Sequence, residues 1–205
     1  MKAFNAAITA GVQVQPQTID VGVGPFLHTT MDRSIGETAS PTRAKYKAAY
    51  LKKGYTDTQI DAMYRALTDP SYNGPDSSIL LVPYGGKVNT VPSNATAAAQ
   101  RDVVCKMVLA ASWDSATDDA MHLGWARKWY AEIYRDTGGA PVPNATNAGS
   151  YINYPDTDLA DPAYNKSGVP WHDLYYLGNY PRLQQVKAKW DPRNVFHHKL
   201  SIEPR

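Results

Sequence analysis

Residues 103–113 read VVCKMVLAASW, a run that is apolar on both sides of a two-residue period except at Lys106. Such a segment belongs inside a sheet with both faces covered, not at a sheet edge. The strongest helix pattern follows it. From Asp118 to about Tyr134, Met121, Trp125, Trp129 and Ile133 recur every four residues, with Asp118 and Asp119 at the positive end of the macrodipole. A second helix is expected over Thr56–Leu67. Thr56 and Gln59 have capping-box spacing, and Ile60, Met63, Tyr64 and Leu67 form one apolar face. Residues 78–84, SILLVPY, predict a buried strand stopped by Gly85-Gly86. Shorter strands are expected at Lys87–Val91, Ser150–Tyr154, Gly11–Val14 and Ile19–Val23, and Ala44–Lys53 fits a short helix or an extended segment. A turn or short helix near Trp171–Leu177 precedes a helix from Pro181 to Lys189. That helix carries Leu183, Val186 and Trp190 on its apolar side and stops at Asp191-Pro192. Strands and helices mix without βαβ alternation. The expected class is α+β, an antiparallel sheet with helices on one face.

Charge excludes some partners. The 205 residues hold 21 Lys and Arg against 19 Asp and Glu, and neither half is strongly basic. A nucleic-acid-binding surface or a polybasic membrane arm would need a basic excess that is absent here. No apolar run reaches membrane-spanning length, and residues 1–24 lack a signal-peptide core. Three glycosylation sequons, at Asn94, Asn144 and Asn165, favour a secreted origin. One cysteine, Cys105, leaves no disulfide framework and no multi-cysteine metal site. The adjacent pair His197-His198 is a poor metal clamp, because neighbours on an extended chain face opposite ways. The Gly-rich dinucleotide fingerprint, the P-loop, HExxH and GxSxG are all missing. The 14 Tyr and 5 Trp supply apolar bulk with a polar handle, suited to a binding face.

The C-terminal third carries a more specific signal. Residues 151–159 read YINYPDTDL and residues 171–176 read WHDLYY. Then come Asn179-Tyr180-Pro181-Arg182-Leu183, Val186-Lys187, Asp191-Pro192-Arg193-Asn194-Val195-Phe196 and Ser201-Ile202-Glu203-Pro204. In order and spacing this series resembles the C-terminal end of the berberine-bridge-enzyme-like FAD-linked oxidases. A looser likeness to the same family's substrate domain runs through Tyr84-Gly85-Gly86, Gln100-Arg101, Trp113 and Trp125…Trp129-Tyr130. The resemblance implies a substrate-domain portion over residues 1–149. It also implies a berberine-bridge-like segment over 150–205, whose helices belong to the FAD domain in the family. The family's Gly-rich phosphate loop and covalent flavin attachment lie in an N-terminal half to which nothing here corresponds. A separate FAD-binding half is therefore an expected partner.

The resemblance implies that the chain supplies the substrate side and part of the flavin site for hydride transfer from a small-molecule substrate to FAD. Tyr154 matches the catalytic tyrosine, a proton acceptor. Tyr151 and Asn153 match residues beside the flavin ring, and Asn179 matches a residue that either contacts flavin or caps the following helix. Strand alternation would put Tyr151 and Asn153 on one face and Tyr154 on the other, unless Pro155 bends the chain. Arg182 either pairs with Asp156 or Asp158 or is solvated. Many relatives carry a polar group five positions before the tryptophan matched by Trp113; here that position is Val108. The alternative expectation is a flavin-free small-molecule-binding module or partner subunit.

Overall fold

The computed structural model describes residues 43–205, together with Pro25 and Phe26. The strands expected at Gly11–Val14 and Ile19–Val23 lie outside the described residues. Residues Pro41–Arg205 form one compact unit. A three-stranded antiparallel sheet organises it: β1 (Arg43–Leu51), β2 (Ser78–Pro83) and β3 (Cys105–Trp113), in the order β1-β3-β2. The class is α+β, with α1 (Asp57–Leu67) and α2 (Asp119–Ile133) on one face of the sheet. Two further helices, α3 (Trp171–Tyr176) and α4 (Tyr180–Trp190), follow a long irregular stretch.

The central place of β3 follows from its composition. Met107 to Ala111 are all buried, because β1 and β2 flank the strand and both its faces are covered. Met107, Leu109, Ala111 and Trp113 join the helix-side core, while Val108 and Ala110 pack with Ala48 on the opposite face. Burial separates β2 from β3 although both read as apolar. Leu80, Leu81 and Val82 are 47, 56 and 38% exposed, since β2 is an edge strand with one neighbour. The stretch expected as a helix or extended segment over Ala44–Lys53 is strand as far as Leu51. In RAKYKAAYL, lysines and tyrosines occupy alternate positions, which suits an edge strand that meets a different environment on each face.

Thr56 caps α1 through the full capping box with Gln59. The buried face of that helix is Ala62, Met63 and Ala66, while Ile60, Tyr64 and Leu67 are exposed. The bulk of α2 explains the exchange. Trp125 and Trp129 are buried in the shared core, and Trp125 donates its indole N–H to the Ala66 carbonyl at 3.1 Å. Two large rings leave room only for small residues opposite. On α2, likewise, Met121 is 41% exposed and His122 takes the buried place, stacked on Trp113 with ring centroids 4.8 Å apart.

Two expected strands are not strands. Gly86–Thr90 is a 3-10 turn, entered from Gly85 at φ +126°. Ser150–Tyr154 contains a turn closed by a 3.0 Å hydrogen bond from the Tyr154 amide to the Tyr151 carbonyl. Leu159, Leu174 and Leu200 from the C-terminal third share the helix-side core with Met107 and Leu109.

Candidate functional site

The site begins with how the chain runs along the free edge of β1. Residues 146–149 continue the ladder there. The Lys52 amide donates to the Thr146 carbonyl, the Tyr50 amide to the Gly149 carbonyl and the Ala148 amide to the Tyr50 carbonyl, at 2.7–2.9 Å. Gly149 then turns inward at φ +83°. A Cβ there would stand 2.1 Å from the Leu174 carbonyl oxygen, so only glycine lets the chain pass. Beyond it the Ser150 and Tyr130 hydroxyls both donate to the Ala48 carbonyl, closing the edge.

Residues 151–158 wrap around β1 and place side chains on both faces of the sheet. On the face away from the helices stand Tyr151 and Tyr154, with rings 5.6 Å apart and nearly perpendicular. Tyr154 stacks on Tyr46 of β1 at 5.2 Å, and Tyr151 meets Tyr50 edge-on at 5.6 Å. Tyr84 extends the cluster against Tyr50 at 5.2 Å. The floor is Ala48, Val108 and Ala110. Lys106, the polar exception in the central strand, holds its ammonium 4.2 Å from the Tyr151 ring centroid and 5.5 Å from that of Tyr154, within cation–π range. Asn153 is exposed and donates its side-chain N–H to the Tyr151 hydroxyl at 2.8 Å. Burial pushes the Tyr50 hydroxyl well above the ordinary tyrosine range, helped by Tyr84 and Tyr151, so Tyr50 stays neutral.

Three expected site residues therefore lie together. Tyr151 and Tyr154 share a face because a turn, not a strand, joins them. The expected opposition of the two is corrected, and Pro155 follows a chain already turned. Asn179 lies elsewhere. It makes no cap; its side chain donates to the Ser93 and Thr96 carbonyls at 2.8 and 3.0 Å, tying α4 to the 93–96 loop. Arg182 donates to the Asn94 carbonyl at 3.0 Å and does not pair with Asp156 or Asp158. Val108 sits in the floor, 4% exposed and directly between Ala48 and Leu80. Tyr46, Tyr50 and the lysines of β1 were not predicted, although period-two alternation in RAKYKAAYL is the signal that sorts them onto two faces.

On the helix face the same loop carries charge. Asp156 accepts from the Lys45 and Lys47 ammoniums at 2.6 Å each. Asp158 lies 3.0 Å from both lysines and takes the Arg127 guanidinium on two oxygens at 3.0 and 3.1 Å. Asp156 also accepts from the Asp158 amide at 3.1 Å, and the Asp156 amide donates to the Tyr175 hydroxyl at 2.9 Å. The tripeptide Lys45-Tyr46-Lys47 thus grips the loop twice, by ring stacking at Tyr154 and by ion pairing at Asp156. Burial pushes the Asp158 carboxyl up, but Arg127, Lys47 and Lys45 outweigh it and hold it below the ordinary carboxylate range. A carboxyl with a lowered folded-state pKa stabilises above its unfolded pKa of about 4, and loses that contribution as pH falls through the folded value. Thermal melts should therefore be flat for this group near neutrality and decline below about pH 4. Asp158→Asn should lower the neutral-pH melting temperature and flatten the acid decline.

Residues 150–203 match the family model described as berberine and berberine-like. Among curated proteins, the aclacinomycin-N/aclacinomycin-A oxidase of Streptomyces galilaeus is 48% identical over 98% of this chain. The hexose oxidase of Chondrus crispus is 35% identical over 92%. The chain spans 36% of the length of each. Among solved structures, CrmK, a flavoenzyme of the shunt product recycling mechanism in caerulomycin biosynthesis, superposes with a TM-score of 0.87 at 44% identity. That match covers all of this chain and 41% of CrmK. The motif series, the sheet that carries it and these relatives agree: the chain belongs to the berberine-bridge-enzyme-like family of FAD-linked oxidases.

Proposed function

We propose that this chain forms the substrate side of an FAD-dependent oxidation of an alcohol, with Tyr154 as the proton acceptor. The observation that carries the reading is the tyrosine-rich sheet face on which Tyr154 and Lys106 meet. Small floor residues, upstanding rings and one cation suit a flat conjugated ring system lying against the face. FAD, when bound, supplies the hydride acceptor. Tyr151 and Asn153 would border its ring, and the anionic nucleotide part would rest on a separate FAD-binding half. Asn179, tied to the 93–96 loop, would border the flavin only through the position of α4.

The chain's own residues divide the work. Tyr154 takes the proton from the substrate hydroxyl while the hydride leaves the adjacent carbon, so the alcohol becomes a carbonyl. Lys106 sets positive charge beside the Tyr154 ring, next to the phenolate that must be present before the transfer and is neutralised by it. Tyr46 fixes the ring plane by stacking. Val108 leaves the floor apolar, so no second proton carrier stands at that position. The name of one relative, a hexose oxidase, makes sugar hydroxyls the first substrates to assay.

The experiment is to combine the chain with an FAD-binding half and mix it anaerobically with a panel of sugars and other alcohols, following flavin absorbance. Bleaching by an alcohol supports the reading. Ligand-induced thermal stabilisation of the flavin-free chain, with no flavin bound or bleached in any combination, would favour a binding module instead.

A further inference from the structure

On the helix side of the sheet, away from the tyrosine face, a cavity of about 270 Å³ opens between α2 and the loop of residues 163–166. Lys47, only 2% exposed, and Tyr130 line its inner part. Arg127, Arg135 and Lys166 also line it, and Glu132 is the one carboxylate among the described lining residues. Gly138 and Gly139 shape the wall. Both have left-handed φ, and a Cβ at either would stand 2.6 Å from the Ser167 amide nitrogen or 2.9 Å from the Tyr164 carbonyl oxygen. Their lack of side chains lets the loop close against the end of α2.

The charges around this cavity do not balance. Behind it, Lys45, Lys47 and Arg127 share only Asp156 and Asp158. Arg127 spends Nε and Nη2 on Asp158 and lies against the Tyr164 ring at 4.3 Å; its Nη1 makes no hydrogen bond among the described residues. Lys166 has no ion pair among the described residues. Arg135 reaches Glu132 and Asp136 only at 3.7 and 3.8 Å, beyond hydrogen-bond distance. Among the described residues, even with Asp136 counted, the cations of the cluster and cavity outnumber the carboxylates. The inner trio of Lys45, Lys47 and Arg127, held partly out of water against two carboxylates, is costly unless a counter-charge joins it.

We propose that this cavity binds a phosphate-class dianion, either inorganic phosphate or the phosphoryl end of a small metabolite. Guanidinium forks and lysine ammoniums are the usual partners of tetrahedral oxyanions, and a dianion with several acceptor oxygens satisfies groups that a single chloride cannot. Entry is from the side of Arg135 and Lys166, both exposed. The site is independent of the tyrosine face.

The test is calorimetric titration and thermal melting of the purified protein, with any flavin-bearing half it carries, in inorganic phosphate against sodium chloride at matched ionic strength. The expected result is a saturable rise in melting temperature with phosphate and not with chloride. Affinity should fall about tenfold or more in the R135A/K166A double variant. Both side chains are exposed, and far-ultraviolet circular dichroism of the variant should match the parent. Glycerol 3-phosphate separates the sources: tighter binding than inorganic phosphate identifies a metabolite, and equal binding identifies the free ion. A response no different from chloride, or one the double variant retains in full, overturns the proposal.

Discussion

Asp156→Ala is expected to remove about 3–5 kcal/mol of folding stability, the usual cost of breaking a buried ion pair from one side. Asp156 is 1% exposed and Lys47 2%. Deleting the carboxylate strands the Lys47 ammonium in the interior with only the shared Asp158 beside it. It also removes the acceptor for the Asp158 amide. Urea unfolding followed by tryptophan fluorescence measures the loss, with the midpoint falling and the slope unchanged. The control is K47M/D156L, which replaces both charges by apolar groups of similar size. Because the penalty lies in an unpaired charge and not in missing attraction, the double variant should recover much of the stability. A single variant as stable as the parent would show that the grip of β1 on the 151–158 loop rests on ring stacking alone.

The second large effect is catalytic. On the proposed function, in the chain combined with an FAD-binding half, Tyr154→Phe is expected to slow substrate-driven flavin reduction by about 10²–10⁴-fold, the range for loss of a positioned proton acceptor. Substrate affinity should change little, because the ring and its stacking on Tyr46 remain. Stopped-flow absorbance separates the two constants. Lys106→Met should slow the same step by about tenfold, as expected for one cation near an aromatic ring. If Tyr154→Phe reduces flavin at the parent rate, proton transfer belongs to another group, and the tyrosine face serves binding only.

Much of this molecule is legible in its amino acids. The two-sided apolar run before Trp113 identified the central strand, because covering both faces leaves a strand no other position. Capping residues at Thr56 and Gln59 placed the start of α1, since such caps act over three residues. The C-terminal motifs identified the family and brought Tyr151, Asn153 and Tyr154 to notice. What local pattern could not decide was the direction in which those residues point. Alternation would separate Tyr151 from Tyr154, yet a turn fixed by Gly149 and the edge of β1 puts them on one face. The partners of Asp156 and Asp158 lie far along the chain, so Lys45, Lys47 and Arg127 leave no local signal and the nearby Arg182 offers itself in their place. Sequons behave the same way. Asn165 matches the motif, but its side chain donates to the Leu159 and Val169 carbonyls. Helix caps, strand periods and motifs depend on neighbours in sequence, which the chain spells out. Which face a loop presents, and which charge meets which, depends on segments a hundred residues apart, and only packing brings those together.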